Sequence, residues 1–304
     1  MFRNAMFFHI EGTPSHNTLA DAIPERLARL PGPLEHWTTG FHAREDVGPS
    51  FEVNGCTAFT VVEHRRLLPQ DVVRAAVQVE VLKIQAESGR PPGRRRRREI
   101  AEQVVSDLLP KAFVSARYVP AYVDHELDLL VVDTVVPKRG EMVAHELREA
   151  LGSFPARPLC RAGVIMPVTE WLRSERVPKC FELGHTVQVR DTCERSSVII
   201  GRGQDLDRDE LRDALAGNAV TQLGLSVYGR SEFVLDADRV MLRQFKLDEY
   251  KLNDLDALRS AIDHSDAESA AADEYEAQLH IYTGEIRHTL RLLDGELGIL
   301  SGNR

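Results

Sequence analysis

Cysteine is scarce in this chain, which has four in 304 residues: Cys56, Cys160, Cys180 and Cys193. They are widely spaced and form no CxxC pair, which predicts reduced thiols of the cytosolic kind and not a disulfide framework. The alternative is a zinc site at Cys180, His185 and Cys193, but the spacing is irregular and Cys160 would be a distant fourth ligand. We therefore expect no bound metal and no other cofactor.

Long apolar runs are absent as well, since no stretch approaches the ~20 residues with which a helix spans a bilayer. The opening "MFRNAMFFHIEG" has an apolar patch too short for a signal peptide and no small-residue cleavage site. A composition of 43% hydrophobic and 28% charged residues is typical of a globular chain, here with about two folding units. We expect a cytoplasmic protein without a membrane partner.

Catalytic motifs are also missing. "GRGQDL" (Gly201–Leu206) lacks the Gly-Lys-Ser/Thr ending of a phosphate-binding loop, and "HELRE" (His145–Glu149) lacks the second histidine of a zinc protease. The chain has no GxSxG motif and no EF-hand loop, and no acid–base or nucleophilic constellation stands out. We therefore expect a protein that is not an enzyme and has no small-molecule substrate.

Charge is distributed unevenly along the chain. The formal net charge is −9 and the sequence pI is about 5.7. Yet residues 65–117 hold twelve Lys or Arg against six Asp or Glu, while residues 245–304 hold six against thirteen. The basic segment includes five consecutive arginines, Arg94–Arg98. A basic surface can coexist with an acidic remainder, so the net charge does not exclude an anionic partner.

The arginine run lies between two predicted helices. Apolar residues recur at helical spacing on both sides of it, first at Val73, Val77, Val81 and Ile84, then at Ile100, Val104 and Leu108. Gly89 and Pro91-Pro92 end the first helix, and Pro110 ends the second. The pattern predicts a helical hairpin with Arg94–Arg98 at its tip, where residues that point all round a helix axis can stay hydrated.

The rest of the chain favours an α+β fold with antiparallel sheets, because strands and helices do not alternate as a βαβ series. Asn54-Gly55 predicts a tight hairpin turn, and a second hairpin turns near 124–126. A helix is expected at 138–152. A strand followed by a short helix with Thr169 as its N-cap is expected next, and a further helix over 205–217 has an Asp207…Glu210 capping box. Strands are expected at 5–10, 184–190, 196–202, 219–228, 231–236 and 239–245.

The acidic C-terminal part reads as helix. Its apolar residues predict a face that packs on a partner, either in this chain or in another: Leu279, Ile286, Leu290 and Leu293. Trp37 and Trp171 are interpreted as core or interface residues in preference to base-stacking platforms. We divide the chain into a central α+β region (1–66 with 114–178), a hairpin (67–113) and a C-terminal α+β region ending in acidic helices (179–304).

Several segments resemble the recombination-associated protein RdgC family. "LLPKAF" (Leu108–Phe113) follows the arginine run, and the other matching segments occur in family order from end to end of the chain. They are the opening "FRNAMFF", "LREALGSFPARPL" (Leu147–Leu159), "VTEWLRS" (Val168–Ser174), "VIIGRGQDL" (Val198–Leu206) and "YTGEIRHTLRLLDGELG" (Tyr282–Gly298).

The resemblance implies a nucleoid-associated bacterial DNA-binding protein with no catalytic role. It implies a ring-shaped homodimer with duplex DNA in a positively lined hole, bound largely independently of sequence, which restrains the recombinase RecA by occupying DNA. The helical hairpin and the acidic C-terminal helices are the candidate dimer contacts. The alternative is a protein-interaction module that acts on the recombinase directly, without covering DNA.

The candidate DNA-binding residues lie in the arginine run, in the "LLPKAF" segment and at a predicted strand-to-helix junction. They are Arg90, Arg94, Arg95, Arg96, Arg97, Arg98, Lys111, Phe113, Arg202 and Gln204. For the arginines the alternative is a solvated tip, for Phe113 a core position, and for Arg202 and Gln204 a polar turn. The resemblance also implies lysines where this chain has Gly203 and Gln222, which would weaken a basic lining.

Overall fold

The computed structural model describes residues 2–159, 163–174, 176–191, 198–202, 215, 217–262 and 267–300. The chain folds as two compact units. The smaller unit comprises Arg26–His42 and Val61–Tyr118, and the larger comprises Met1–Glu25, Ala43–Thr60 and Val119–Arg304. The three-part division made from the sequence stays a prediction.

The strands in chain order are β1 (Ala5–Ile10), β2 (Trp37–Phe41), β3 (Ser50–Val53), β4 (Cys56–Arg66), β5 (Val114–Asp124), β6 (Leu129–Val132), β7 (Ala156–Pro158), β8 (Glu182–Asp191), β9 (Val198–Arg202), β10 (Asn218–Val227), β11 (Ser231–Asp236) and β12 (Met241–Leu247). In the larger unit they follow the order β5-β6-β1-β12-β11-β10-β8-β9, with β3 on β4 and β7 on β1. The registered pairs are antiparallel, as the sequence predicts.

The described helices are α1 (His16–Ala22), α2 (Gln70–Ser88), α3 (Arg94–Leu108), α4 (Pro137–Leu151), α5 (Ile165–Arg173), α6 (Glu249–Ala261) and α7 (Ala267–Leu297). Short 3₁₀ turns cover Ile23–Arg26 and Leu109–Lys111. Strands and helices together confirm an α+β fold. Among the residues that the structure describes, no helix is both long and apolar enough to cross a membrane.

Local turn chemistry accounts for much of this agreement. Asn54 and Gly55 both have positive φ, 51° and 68°, as a tight hairpin turn between β3 and β4 requires. Gly89 and Gly152 end α2 and α4 in the left-handed conformation, where a side chain would be strained. The helix and capping box predicted over 205–217 lie outside the described residues, apart from Leu215 and Gly217.

The prediction for Thr169 is wrong. The structure has no strand in the described residues just before it, and α5 begins at Ile165, with Pro167 in the first turn, where proline costs no hydrogen bond. Thr169 therefore lies inside the helix and is almost fully buried. Its hydroxyl donates to the Ile165 carbonyl at 2.7 Å and accepts from the Val220 N–H at 2.9 Å, which ties α5 to β10.

The apolar face of α7 finds its partner within this chain. Leu279, Ile286, Leu290 and Leu293 are each at most 4% exposed and belong to the core of the larger unit, together with β10–β12. Of the two alternatives left open by the sequence, the partner in the same chain is therefore the right one. Since this face is filled, it is not available to a second copy.

A buried ion cluster joins α7 to two hairpin turns of the larger unit. The Arg287 guanidinium donates to Asp124 and Glu126 carboxylates, each at 2.7 Å, and to the Asn54 carbonyl at 2.7 Å. It also lies 3.0 Å from the Cys56 sulfur. Burial opposes the charge of Arg287, but the hydrogen bond and attraction of Asp124, with smaller contributions from Cys56 and Glu126, together outweigh burial and raise its pKa. The cluster therefore holds a charged arginine inside the protein.

The same surroundings make Cys56 a poor nucleophile. Burial, followed by the negative charge of Asp124, raises the pKa of the Cys56 thiol to about 12. Cys180 also has a raised pKa, mainly because of burial. Within the described ranges no group of three or more His, Cys, Asp or Glu could hold a metal ion. Two of the four candidate zinc ligands, Cys160 and Cys193, lie outside those ranges.

Candidate nucleic-acid interface

The basic helical hairpin is part of the smaller unit, and its two helices pack through the predicted stripes. Val81, Ile100 and Val104 are buried at the centre, with partly buried neighbours on both helices: Val73, Ala76, Val77, Ile84 and Leu108. Gly89 turns the chain out of α2, and its N–H donates to the Gln85 carbonyl at 2.9 Å. Only residues 89–93 separate the two helices, and a connection this short keeps their ends close together. The hairpin prediction is confirmed.

The five arginines form the first turns of α3 and are all exposed. Arg95 and Arg96 contact the Glu99 carboxylate at 3.3 and 3.0 Å, and Arg98 contacts Glu102 at 3.0 Å. Exposed pairs on one helix face contribute only about 0.3–0.5 kcal/mol each, so these guanidinium groups can change partners at little cost.

Arg90, Arg94 and Arg97 have no carboxylate partner among the described residues. Arg97 donates to the Pro92 carbonyl at 3.1 Å. The N-cap is Gly93, which has no side chain to cap the helix, and the first turn holds no acidic residue. Cations beside the positive end of a helix dipole are unfavourable by about 0.3–1 kcal/mol each. An anion at this end would relieve that repulsion, so the tip is electrostatically suited to phosphate.

A partly buried arginine, Arg66, holds the chain in place where α3 ends. The Arg66 guanidinium donates at 3.0–3.4 Å to five carbonyl oxygens, those of Leu109, Pro110, Ala112, Pro31 and Gly32. The fork of an arginine can serve this many acceptors because it presents five N–H groups in one plane. Arg66 therefore holds the "LLPKAF" segment in place, a role that the sequence analysis missed.

Lys111 and Phe113 both extend into solvent from this segment. Lys111 is exposed, and the Phe113 ring is 85% exposed although its carbonyl accepts from the Leu67 N–H at 2.7 Å. The alternative that Phe113 is a core residue is therefore wrong. An ordered backbone that carries an exposed aromatic ring is suited to contact a partner, and its contact with DNA stays a prediction.

The other candidates belong to the larger unit. Arg202 is the last residue of β9, opposite Thr186 on β8. Gln204 and Gly203 lie outside the described residues. The phosphate contact predicted for Arg202 and Gln204 stays a prediction. Gln222, on β10, donates to the Asp236 carboxylate at 3.4 Å, and Arg243 contacts the same carboxylate at 3.2 Å. Asp236 is 5% exposed, so Gln222 supports a buried polar group.

The structure brings together a second set of cations that the sequence analysis did not single out. A cavity of about 770 Å³ in the smaller unit is lined by Trp37, by Glu63 and by four arginines, Arg65, Arg66, Arg74 and Arg117. Trp37 is 58% exposed, so it is not a core residue, whereas Trp171 packs against the core of the larger unit. The alternation of side chains along a strand could have indicated this set, because residues two positions apart point to the same face. Glu63 and Arg65 share one face in this way, as do Ser115 and Arg117.

The fold is α+β with antiparallel strands, and its candidate site is a cationic helical hairpin beside an exposed aromatic segment. A family model described as "Putative exonuclease, RdgC" matches residues 1–300. The chain therefore belongs to the RdgC family. It is 31% identical to the recombination-associated protein RdgC of Xanthomonas campestris over 97% of both chains. It is 30% identical to that of Xylella fastidiosa over 99% of both chains.

Proposed function

We propose that this protein binds double-stranded DNA without sequence preference, as a homodimer closed into a ring around the duplex. By occupying DNA in the nucleoid it would restrain RecA-dependent recombination. The observation that carries the proposal is the cluster of exposed arginines at the uncapped start of α3. The name of the relatives, recombination-associated protein, supports a role in that process.

The charge distribution supports binding through phosphates. Guanidinium forks bind phosphate oxygens in pairs, and neutralised phosphates release condensed counterions, which gives affinity without base readout. Residues 65–117 hold this positive charge within a chain of net charge −9. Cations gathered on one surface and carboxylates elsewhere allow an acidic protein to bind an acidic polymer.

Duplex binding should be independent of sequence and sensitive to salt. We expect the purified protein to shift several unrelated duplexes of equal length with equal affinity. Log affinity should fall linearly with log salt concentration, because each neutralised phosphate contributes about −0.9 to the slope. Mobility-shift titrations at several salt concentrations measure both. A protein that leaves every duplex unshifted at low salt would contradict the proposal.

A second apolar stripe on α2 supports the homodimer. Val72, Val79 and Leu82 are 50–53% exposed, and the exposed Ala75 and Ala86 fall between and after them. Their spacing of three and four residues is the seam of two helices that pack side by side. This stripe differs from the one that packs on α3, so α2 offers an apolar face that a second copy can cover.

Charged residues on that stripe should separate the protomers. We expect the double variant Val79→Asp, Leu82→Asp to lose dimer mass in solution, because a dimer would have to bury its carboxylates without partners. Light scattering across a concentration series measures the mass. The control is Gln78→Asp, Gln85→Asp, which adds the same charge to exposed positions of the same helix. If both variants keep the wild-type mass, α2 is not a dimer contact.

The description of the family model raises cleavage as a second function. Metal-dependent nucleases place carboxylates around divalent ions, and no group of three or more such ligands occurs within the described ranges. We propose binding without cleavage. End-labelled duplex incubated with Mg²⁺ or Mn²⁺ should stay full length at protein concentrations that shift it completely, and progressive shortening from the ends would contradict this.

The alternative function, direct contact with the recombinase without covering DNA, makes a different prediction from DNA occlusion. Its support was the apolar face of the acidic C-terminal helix, and that face is filled within the chain. Occlusion predicts that inhibition of the recombinase and affinity for DNA change together in every variant.

A further inference from the structure

The cavity of the smaller unit is formed on one open face of a sheet. Trp37 on β2 lies directly opposite Arg65 on β4, and Thr39 lies opposite Glu63, two residues along. Directly opposed residues of antiparallel strands point to the same side. Ser115 and Arg117 of β5 line the same cavity, as do Gln70 and Arg74 of α2. An indole and several guanidinium groups therefore face one cleft.

The strand face is unusually exposed. Val114–Tyr118, the first half of β5, is exposed at every residue on both faces of the strand. Trp37 is 58% exposed. A large aromatic side chain on a rigid strand, left open to solvent, loses little conformational freedom when a flat apolar partner stacks on it. The face is therefore prepared for a planar partner, as in proteins that stack bases on a sheet.

The charges around the indole select an anion. Arg65 and Arg117 are exposed and have no ion-pair partner in the described part of the chain. Arg66 is occupied by five carbonyls, and Arg74 contacts Asp71 at 3.2 Å. Glu63 is the one carboxylate in the lining, so cations outnumber it. Aromatic and cationic groups side by side match the two parts of a nucleotide, its base and its phosphate.

The cleft size and the stacking requirement narrow the ligand further. About 770 Å³ accommodates a nucleotide, whereas a paired base is stacked within its duplex and presents no face to an indole. We infer that this cleft is a subsite for an unpaired nucleotide of bound DNA, with the base on Trp37 and its phosphates on Arg65 and Arg117. The inference rests on the proposed function for its ligand class, and it adds a contact that single-stranded or opened DNA can make and an intact duplex cannot.

Trp37 gives the test its own optical signal. In the background Trp171→Phe, which removes the other tryptophan, oligodeoxythymidine of about 12 nucleotides should quench the remaining fluorescence. An abasic oligomer of the same length, with equal phosphates and no bases, should bind more weakly and quench little. This pair of probes separates stacking from simple charge attraction.

Affinity variants complete the experiment. Trp37→Ala should weaken binding of oligodeoxythymidine by about 5- to 150-fold, and Trp37→Phe should restore most of it because the ring can still stack. Arg65→Ala with Arg117→Ala should make the slope of log affinity against log salt concentration shallower by about 1.4. Arg176→Ala, an exposed arginine of the larger unit, is the control and should change neither. Circular dichroism checks that each variant is folded.

The outcomes separate this inference from the proposed function. If duplex binding is normal but Trp37→Ala leaves oligodeoxythymidine affinity unchanged, or the abasic oligomer binds and quenches equally, the cleft is not a base subsite. If the wild type binds neither duplex nor single strand, both proposals are wrong. If an acidic peptide such as polyglutamate quenches Trp37 and competes with oligodeoxythymidine at equal charge, the cleft is a general anion site and the inference is overturned.

Discussion

Replacing Arg94–Arg98 with five alanines is expected to weaken the salt dependence of duplex binding. The slope of log affinity against log salt concentration should become shallower by about 4.5 per hairpin, if each arginine neutralises one phosphate. Affinity at moderate salt should then fall by several orders of magnitude. The physical reason is that these side chains are exposed, and the carboxylate partners of Arg95, Arg96 and Arg98 are weak exposed pairs on the same helix, so phosphates can displace them. Mobility shifts at four or more salt concentrations measure the slope.

The variant should fold, which makes the result interpretable. Alanine is the best helix former, and its introduction removes five cations from the positive end of the helix dipole. The buried contacts of α3, at Ile100 and Val104, are untouched. Five lysines at the same positions are the matched control. They keep the charge and hence the slope, while affinity falls modestly because lysine cannot bind phosphate with a two-pronged fork.

Neutralising the two carboxylates that pair with the arginine run should have the opposite effect on duplex affinity. Glu99→Gln with Glu102→Gln frees Arg95, Arg96 and Arg98 from their partners and should raise duplex affinity. If five alanines leave affinity and slope unchanged, the run is a solvated tip. If inhibition of the recombinase survives the loss of DNA binding, the direct-interaction alternative is right.

The hairpin was predictable because its information is local. Apolar residues three and four positions apart define the packed face, and glycine and proline mark the ends, so Val73–Ile84 and Ile100–Leu108 could be aligned without knowing the rest of the fold. The Asn54-Gly55 turn and the strands of the larger unit were predictable for the same reason. Each depends on conformational preferences within a few residues.

The second cationic cleft was not predictable from spacing. Trp37, Arg65 and Arg117 come together only through the pairing of β2 with β4 and the path of β5, and strand register is a property of the whole sheet. Arg66 was missed for a related reason. An arginine at the end of a strand gives no sign that five carbonyls from two distant segments will surround it.

Tertiary packing also decided what the apolar face of α7 does. An apolar stripe on a helix indicates that the helix packs on a partner, but it does not identify the partner. Here the partner is formed by strands of the same chain. The buried Arg287 directly follows Ile286 of that stripe. It was hidden within a segment whose composition reads as solvated and acidic, because only the fold reveals which charges are removed from water.

Arg287→Ala is expected to lower the free energy of unfolding by about 3–5 kcal/mol, the largest effect on stability of any single change considered. The side chains of Arg287 and Asp124 are 7% and 2% exposed, so removing the cation leaves a carboxylate in the interior without its counter-charge. The Asn54 carbonyl also loses its guanidinium donor. Urea unfolding measures the midpoint, which should fall while the denaturant slope stays constant.

Arg291→Ala is the matched control for that loss. Arg291 contacts the same Glu126 carboxylate at 2.7 Å, but its side chain is 54% exposed, so the change should cost less than about 1 kcal/mol. Arg287→Lys should cost less than Arg287→Ala, since its ammonium group keeps a counter-charge for Asp124 but cannot reach all the acceptors spread around a planar fork. Equal losses for Arg287→Ala and Arg291→Ala would mean that burial does not set the strength of this cluster.

A double change shows whether the unpaired charge, and not the lost contacts, carries the effect. In Arg287→Met with Asp124→Asn the interior charge is gone, and the remaining side-chain oxygen can still accept the N–H groups of Glu126 and Leu127, as Asp124 does at 2.9 and 3.1 Å. Replacing both members of a buried pair costs far less than removing one. The double variant should therefore be more stable than Arg287→Ala, and a double variant that is less stable would show that the hydrogen bonds of Arg287 outweigh its charge.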